Sequence, residues 1–191
     1  HQRADHFRAL EDSPGEIIFL GDSITDGCNW SEVFNSLRVK NRGISGDTAT
    51  GILDRLDEVL SSRPDQIFLM IGINDLALGR KESEILADIK RILKEIKQKS
   101  PESSVIIQSV LPVNDRFRNF PNHVNKSQQI ININKVLRRM SGEYDFRYVD
   151  LHSAMTDSQG KLSSDFTNDG LHLTGAGYAK WKIALKGYLE L

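Results

Sequence analysis

The sequence holds a single cysteine, Cys28, among 191 residues. An internal disulfide and a cysteine-built zinc cage are therefore excluded, and Cys28 reads as a small buried hydrophobe. Long apolar runs are missing too; none approaches the roughly 18 residues that span a bilayer as a helix. Positive charge is not in excess, with 25 Lys and Arg against 26 Asp and Glu and a formal net charge of -1. Nucleic acid is thus not an expected partner, since phosphates would go unneutralised. There is no repeat, no low-complexity tract and no linker. The phosphate-binding signatures are absent as well: "GDSITDG" (residues 21–27) fits neither GxGxxG nor GxxxxGK[ST]. A nucleotide-binding module falls away with them. The chain begins at His1 rather than Met. That is compatible with a removed secretion signal and leaves the compartment open between secreted or periplasmic and cytoplasmic.

What is present is an ordinary globular composition, 39% apolar and 27% charged. The length suits one domain over residues 1–191, with residues 1–14 as an N-terminal helix or extension. Short β-rich runs recur at Ile17–Leu20, Arg38–Asn41, Gln66–Ile71, Val105–Leu111 and Phe146–Val149. Helical periods separate them. One stripe holds Ile52, Leu53, Leu56, Val59 and Leu60; a second holds Ile85, Ile89, Ile92, Leu93 and Ile96; a third holds Ile130, Ile133, Leu137 and Met140. A last helix is expected from about Gly175 to Leu189, with Thr174 as N-cap. The strands are nearly continuous apolar runs, as parallel strands covered on both faces should be. The fold class is therefore α/β: a three-layer α/β/α sandwich around a parallel sheet of about five strands.

Such sheets bind ligands beyond the carboxyl ends of their strands. In this sequence those ends carry small and polar residues. Gly21, Asp22 and Ser23 follow the first run, "NRGISGDT" the second, "GIND" the third, "PVNDRFRNFPNHV" the fourth, and "NDGLHLT" the last. Serine hydrolysis needs a hydroxyl, a base, a carboxylate to orient the base, and donors for an oxyanion. Ser23, His172 and Asp169 can fill the first three roles. The backbone of Gly46, the amide of Asn74 and the N–H of Ser23 itself can fill the fourth. Rival readings exist. Ser23 or Asn74 could be a helix cap, and Gly46 or Gly72 could serve a turn. His152 in "VDLH" has an acid two residues away at Asp150, on the same face of an extended strand, so structural pairing is plausible there. Asp22, Asp26, Asp75, Asp169 and His172 could recruit a hard cation. These acids are single and spread over three loops, so neither a metal nor a cofactor is expected.

Four of these blocks together resemble the SGNH hydrolases, also called GDSL esterases and lipases. "GDSITDG" is similar to the first block, with isoleucine where the family name has leucine. "NRGISGDT" resembles the glycine block, "GIND" the asparagine block, and "DGLHLT" the block of acid and base. The resemblance implies the family's flavodoxin-like fold, Ser23 as nucleophile, Asp169 and His172 completing a triad, and Ser23, Gly46 and Asn74 forming the oxyanion hole. It implies no cofactor. The substrate expected is a small-molecule or carbohydrate ester: a short acyl group, above all acetyl, on a polar alcohol, as in the family's acetylhydrolase branch. A lysophospholipase or thioesterase is the alternative. Trp30, Arg116, Arg118 and Phe120 are candidate pocket residues, and the 112–125 loop a candidate lid. His123 either touches substrate or is a solvated surface histidine. The oligomeric state stays open.

Overall fold

The computed structural model describes residues 2–191. Helix α1 (Gln2–Arg8) precedes strand β1 (Ile17–Gly21), which runs into α2 (Ser23–Asp26) and α3 (Trp30–Phe34). Strand β2 (Val39–Gly43) leads through α4 (Ala49–Asp54) and α5 (Leu56–Leu60) to β3 (Gln66–Met70). Next come α6 (Ile73–Ala77), α7 (Glu82–Lys99) and β4 (Ser104–Gln108), then α8 (Pro121–Val124), α9 (Ser127–Met140) and β5 (Arg147–Val149). Helices α10 (Leu151–Met155) and α11 (Gly175–Ala184) follow. The five strands form one parallel sheet in the order β2-β1-β3-β4-β5. The chain reverses its direction of growth between β1 and β3, so the crevice for a ligand opens beyond Gly21 and Met70. Among the described residues, no helix is long and apolar enough to cross a membrane.

Every residue of β1 and β3 is buried, which explains their unbroken apolar runs. Helix α7 packs against α4, α5 and α9. Its buried Ile85, Ile89, Ile92, Leu93 and Ile96 are the stripe expected from the sequence. In the other layer, Phe19 and Phe68 are register partners across β1 and β3, and their rings stack at 4.8 Å. Trp30 stacks on Phe19 at 4.1 Å and meets Trp181 of α11 edge-on at 4.9 Å. Each such ring pair adds about 0.5–1.5 kcal/mol beyond the area it buries.

Three local expectations are corrected. The stripe from Ile52 to Leu60 is not one helix: it breaks at Arg55, whose guanidinium turns inward to Asp47 (2.8 Å) and the Arg42 carbonyl (2.8 Å). The last helix ends at Ala184, and Thr174, though at its N-cap, donates its hydroxyl to the Asp165 carbonyl instead. Asp150 and His152 do not pair. Asp150 caps α10 through the Ser153 N–H (3.0 Å) and pairs with Arg138, while the His152 ring lies near Thr156.

Helix α2 sits directly on the end of β2. A Cβ on Gly43 would lie 2.2 Å from the Asp26 nitrogen, so only glycine lets the two backbones approach. Gly43→Ala should therefore cost about 1–3 kcal/mol in a urea unfolding series. Gly142→Ala, whose Cβ would meet nothing nearer than 3.6 Å, should cost nothing measurable. Equal stability of the two variants would show that α2 can lift off the sheet freely.

Candidate active site

Ser23 is the first residue of α2, but it does not cap it. Asp22 does, its carboxylate accepting from the Ile24 N–H at 3.0 Å. The Ser23 hydroxyl is left free of that duty and lies 3.1 Å from His172 Nε2. On the far side of the ring, His172 Nδ1 is 2.8 Å from Asp169 Oδ2. Asp169 Oδ1 accepts from the backbone N–H groups of Leu171 (2.9 Å) and His172 (2.8 Å), which folds the loop so that acid and base share one turn. Burial works against the Asp169 charge, but these N–H groups and the imidazole outweigh it and hold the carboxyl below the usual carboxylate range. An ionised Asp169 requires the proton on Nδ1. Nε2 then presents a lone pair, and the Ser23 hydroxyl donates to it.

The oxyanion candidates meet at the same edge. Gly46 is exposed with φ +81°, a left-handed conformation that favours glycine, and nothing stands near where its Cβ would be. The Ser23 N–H, at the start of a helix, has no intrahelical acceptor. Asn74 lies on α6 and is largely buried; its Nδ2 donates to the Asp47 carbonyl at 2.9 Å, joining it to the glycine loop. Asp75 takes the Ala49 N–H at 3.0 Å and Arg80 Nη1 at 2.6 Å, fixing the two loops a second time.

The pocket residues divide. Phe120 sets its ring edge-on to His172 with centroids 5.0 Å apart. His123 is half-buried and hydrogen-bonds Asn74 Oδ1 at 3.0 Å, so it is neither solvated nor remote. Arg116 and Arg118 are exposed on the same loop, and Arg116 bonds Gln159. Trp30 was expected in the pocket wall and is not there: it is 1% exposed in the core, its indole donating to the Thr25 carbonyl at 2.8 Å. Cys28 is buried, and burial pushes its thiol up to about 12. Beneath the turn lies a narrow cavity lined by Asp22, Ile24, Ile73, Val110 and Leu171, among others, with room for little more than one water-sized group. A wider apolar groove beside Lys94 and Tyr144 shares no residue with Ser23, His172 or Asn74.

Sequence reasoning missed several residues that build this site. Arg55 reaches the Gly21 carbonyl (3.3 Å) as well as Asp47, and Tyr178 donates to the Ile24 carbonyl at 2.8 Å. Asp22 was noted only as a metal-ligand candidate. It is 1% exposed, and burial pushes its carboxyl up to about 7, with Asp47 and Asp75 adding to the effect.

A family model described as the GDSL-like Lipase/Acylhydrolase family matches residues 19–180. The chain belongs to that family, and its members' chemistry makes it a carboxylic ester hydrolase. It is 28% identical to platelet-activating factor acetylhydrolase IB subunit alpha1 of Pongo abelii, over 96% of this chain and 80% of the relative. A GDSL-like lipase from Bacteroides thetaiotaomicron superposes with a TM-score of 0.85 and 25% identity, over 98% of this chain and 95% of that one. An acetylxylan esterase mutant from Geobacillus stearothermophilus shares the fold, with a TM-score of 0.72, 21% identity, and 92% and 94% of the two chains covered.

The buried Asp22 has a measurable consequence. The folded protein keeps this proton to about pH 7, whereas the unfolded chain releases it near 3.8. The folded carboxyl is raised, so its contribution is fully present below about pH 4 and is lost as pH climbs towards 7. Asp22→Asn keeps an acceptor for the cap. Its melting temperature relative to the parent should rise between pH 4.5 and pH 8, by the equivalent of about 4 kcal/mol or less. A difference that stays flat across that range would mean that Asp22 is already ionised in the fold.

Proposed function

From membership of that family, we propose that the protein is a serine esterase that removes short acyl groups, above all acetyl, from a polar, carbohydrate-like alcohol. One observation carries the reading: the unbroken hydrogen-bonded line from Ser23 through His172 to Asp169, at 3.1 and 2.8 Å. In the reaction, Ser23 Oγ attacks the ester carbonyl while His172 Nε2 takes its proton. Asp169 keeps the imidazole in the right tautomer and stabilises the imidazolium. The N–H groups of Ser23 and Gly46 and the Asn74 amide receive the oxyanion. Collapse expels the alcohol with the proton from His172, leaving an acyl-Ser23 ester. Water, deprotonated by the same imidazole, then releases the acid and restores the hydroxyl.

The acyl preference is supported by the sequence, which holds no apolar run that would build a long acyl channel. The relative's name, acetylhydrolase, agrees with a two-carbon acyl group. For the alcohol, the exposed rim of Asp115, Arg116 and Arg118 favours a polar leaving group over an aliphatic one.

Ser23→Ala and His172→Ala should each lower kcat by on the order of 10⁴-fold or more, with melting temperatures near the parent's; Asp169→Ala should lose less. His152→Ala should stay active. A dead His152 variant beside an active His172 variant would overturn the assignment of the base.

A p-nitrophenyl ester series tests the acyl group. Acetyl and butyryl esters should give higher kcat/KM than octanoyl or longer ones. An apolar channel would instead add about 0.8 kcal/mol per buried methylene, and a steady rise with length would replace this reading by a lysophospholipase or thioesterase. Acetylated sugars should follow the acetyl ester.

A further inference from the structure

We propose that His123 is a positioning residue for the oxyanion hole: its Nε2–H holds the Asn74 amide in the orientation that leaves one amide proton for the substrate oxygen. The proposal rests on the oxyanion role given to Asn74 above. It follows from counting donors and acceptors. The Asp47 carbonyl can only accept, so the Asn74 atom 2.9 Å from it is the nitrogen. The other amide atom, 3.0 Å from His123 Nε2, is then the oxygen, which also only accepts. His123 must therefore carry its proton on Nε2. Of the two Asn74 amide protons, one goes to Asp47, and the second is left for an oxyanion.

The surroundings fit such a role. Asn74 is 9% exposed, so an amide turned the wrong way would find little water to repair its hydrogen bonds. His123 sits on α8, its ring edge-on to Phe120 with centroids 5.8 Å apart, and the same Phe120 ring meets His172. One short segment after β4 thus touches both the base and the oxyanion donor. Burial, His172 and Lys126 hold the His123 pKa below its ordinary value, which favours a neutral ring beside the proposed imidazolium. Donation by Nε2–H also strengthens the amide as a donor at its other end, because hydrogen bonds in series polarise one another.

The test separates positioning from substrate contact. His123→Phe keeps a flat ring against Phe120 and removes the donor; His123→Gln returns an N–H. His123→Phe should lower kcat on p-nitrophenyl acetate about 10-fold with KM changed less than about twofold, and His123→Gln should recover most of the loss. In an Asn74→Ala background, His123→Phe should cost almost nothing further, because it acts through Asn74. An unchanged kcat, a loss confined to KM, or an equal loss with Asn74 removed would each overturn the proposal. If Asn74→Ala alone keeps full kcat, the oxyanion reading falls and this one with it. A damaging Asn74→Ala beside a harmless His123→Phe overturns only the role of His123. The unsubstituted protein gives an independent check free of folding effects. The ¹⁵N resonances of the His123 ring should report the Nε2–H tautomer, and an Nδ1–H ring would overturn the proposal.

Discussion

Ser23 and His172 are 149 residues apart in the chain and 3.1 Å apart in space, and the contact between them is what the rest of the architecture maintains. A hydrogen bond between two side chains cannot hold two segments in place by itself, since it is worth about 1 kcal/mol net. Aromatic packing does the holding. Trp181 of α11 meets Trp30 of α3 and donates to Gln108 of β4 at 2.7 Å, while Tyr178 reaches the Ile24 carbonyl one residue beyond Ser23. The helix after the His172 loop is therefore bound to the helix pair after the Ser23 turn. A displacement of about 1 Å at a reacting centre can cost on the order of 10²-fold in rate. This explains why so much buried ring area stands immediately behind a small polar turn.

A second layer of restraint is polar and runs from loop to loop around the sheet edge. Arg55 ties the turn after β1 to the loop after β2, through the carbonyls of Gly21 and Arg42 and the carboxylate of Asp47. The Asp47 carbonyl and the Ala49 N–H tie that loop to Asn74 and Asp75 after β3. His123 ties Asn74 to the loop after β4. Asn114, at the start of that loop, takes the Gly170 carbonyl on its backbone N–H at 2.9 Å, which reaches the Asp169–His172 turn. Each loop is thus bonded to the next. Burying Asp22, Asp47 and Asp75 so close together is costly: burial raises the pKa of each, despite the Ile24 N–H on Asp22, Arg55 beside Asp47 and Arg80 beside Asp75. Paired and capped, they still serve as fixed acceptors that backbone alone could not supply.

The sequence made much of this legible, and the limits have physical causes. Parallel strands buried on both faces leave an unmistakable apolar run, so all five strands begin within one residue of their expected starts. The blocks at their ends are local in sequence, which is why Ser23, Gly46, Asn74, Asp169 and His172 could be named together. Trp30 was misjudged because closeness to Ser23 along the chain says nothing about which way a helix turns its side chain. The break at Arg55 could not be read because it depends on acceptors 8, 13 and 34 residues away. His123 met the same obstacle: its partner is 49 residues distant, and nothing in "FPNHV" specifies an amide across the cleft. Local pattern reports which face is apolar. It does not report which buried polar atom answers another.

The proposed oxyanion hole also explains why its donors are held so firmly. An N–H group kept in a cleft without an internal acceptor costs about 1–3 kcal/mol if water cannot reach it. Gly46 lowers that cost by standing exposed, while Asn74, nearly buried, cannot. A donor of the second kind is useful only if it stays aimed, because an amide free to rotate would satisfy itself elsewhere and offer nothing to a developing charge. Bonds at both ends of the Asn74 amide, to Asp47 and to His123, remove that freedom before substrate arrives. The remaining N–H then gains more from a full oxyanion than from a neutral carbonyl. That difference, rather than tight binding of the ester, is what lowers the barrier.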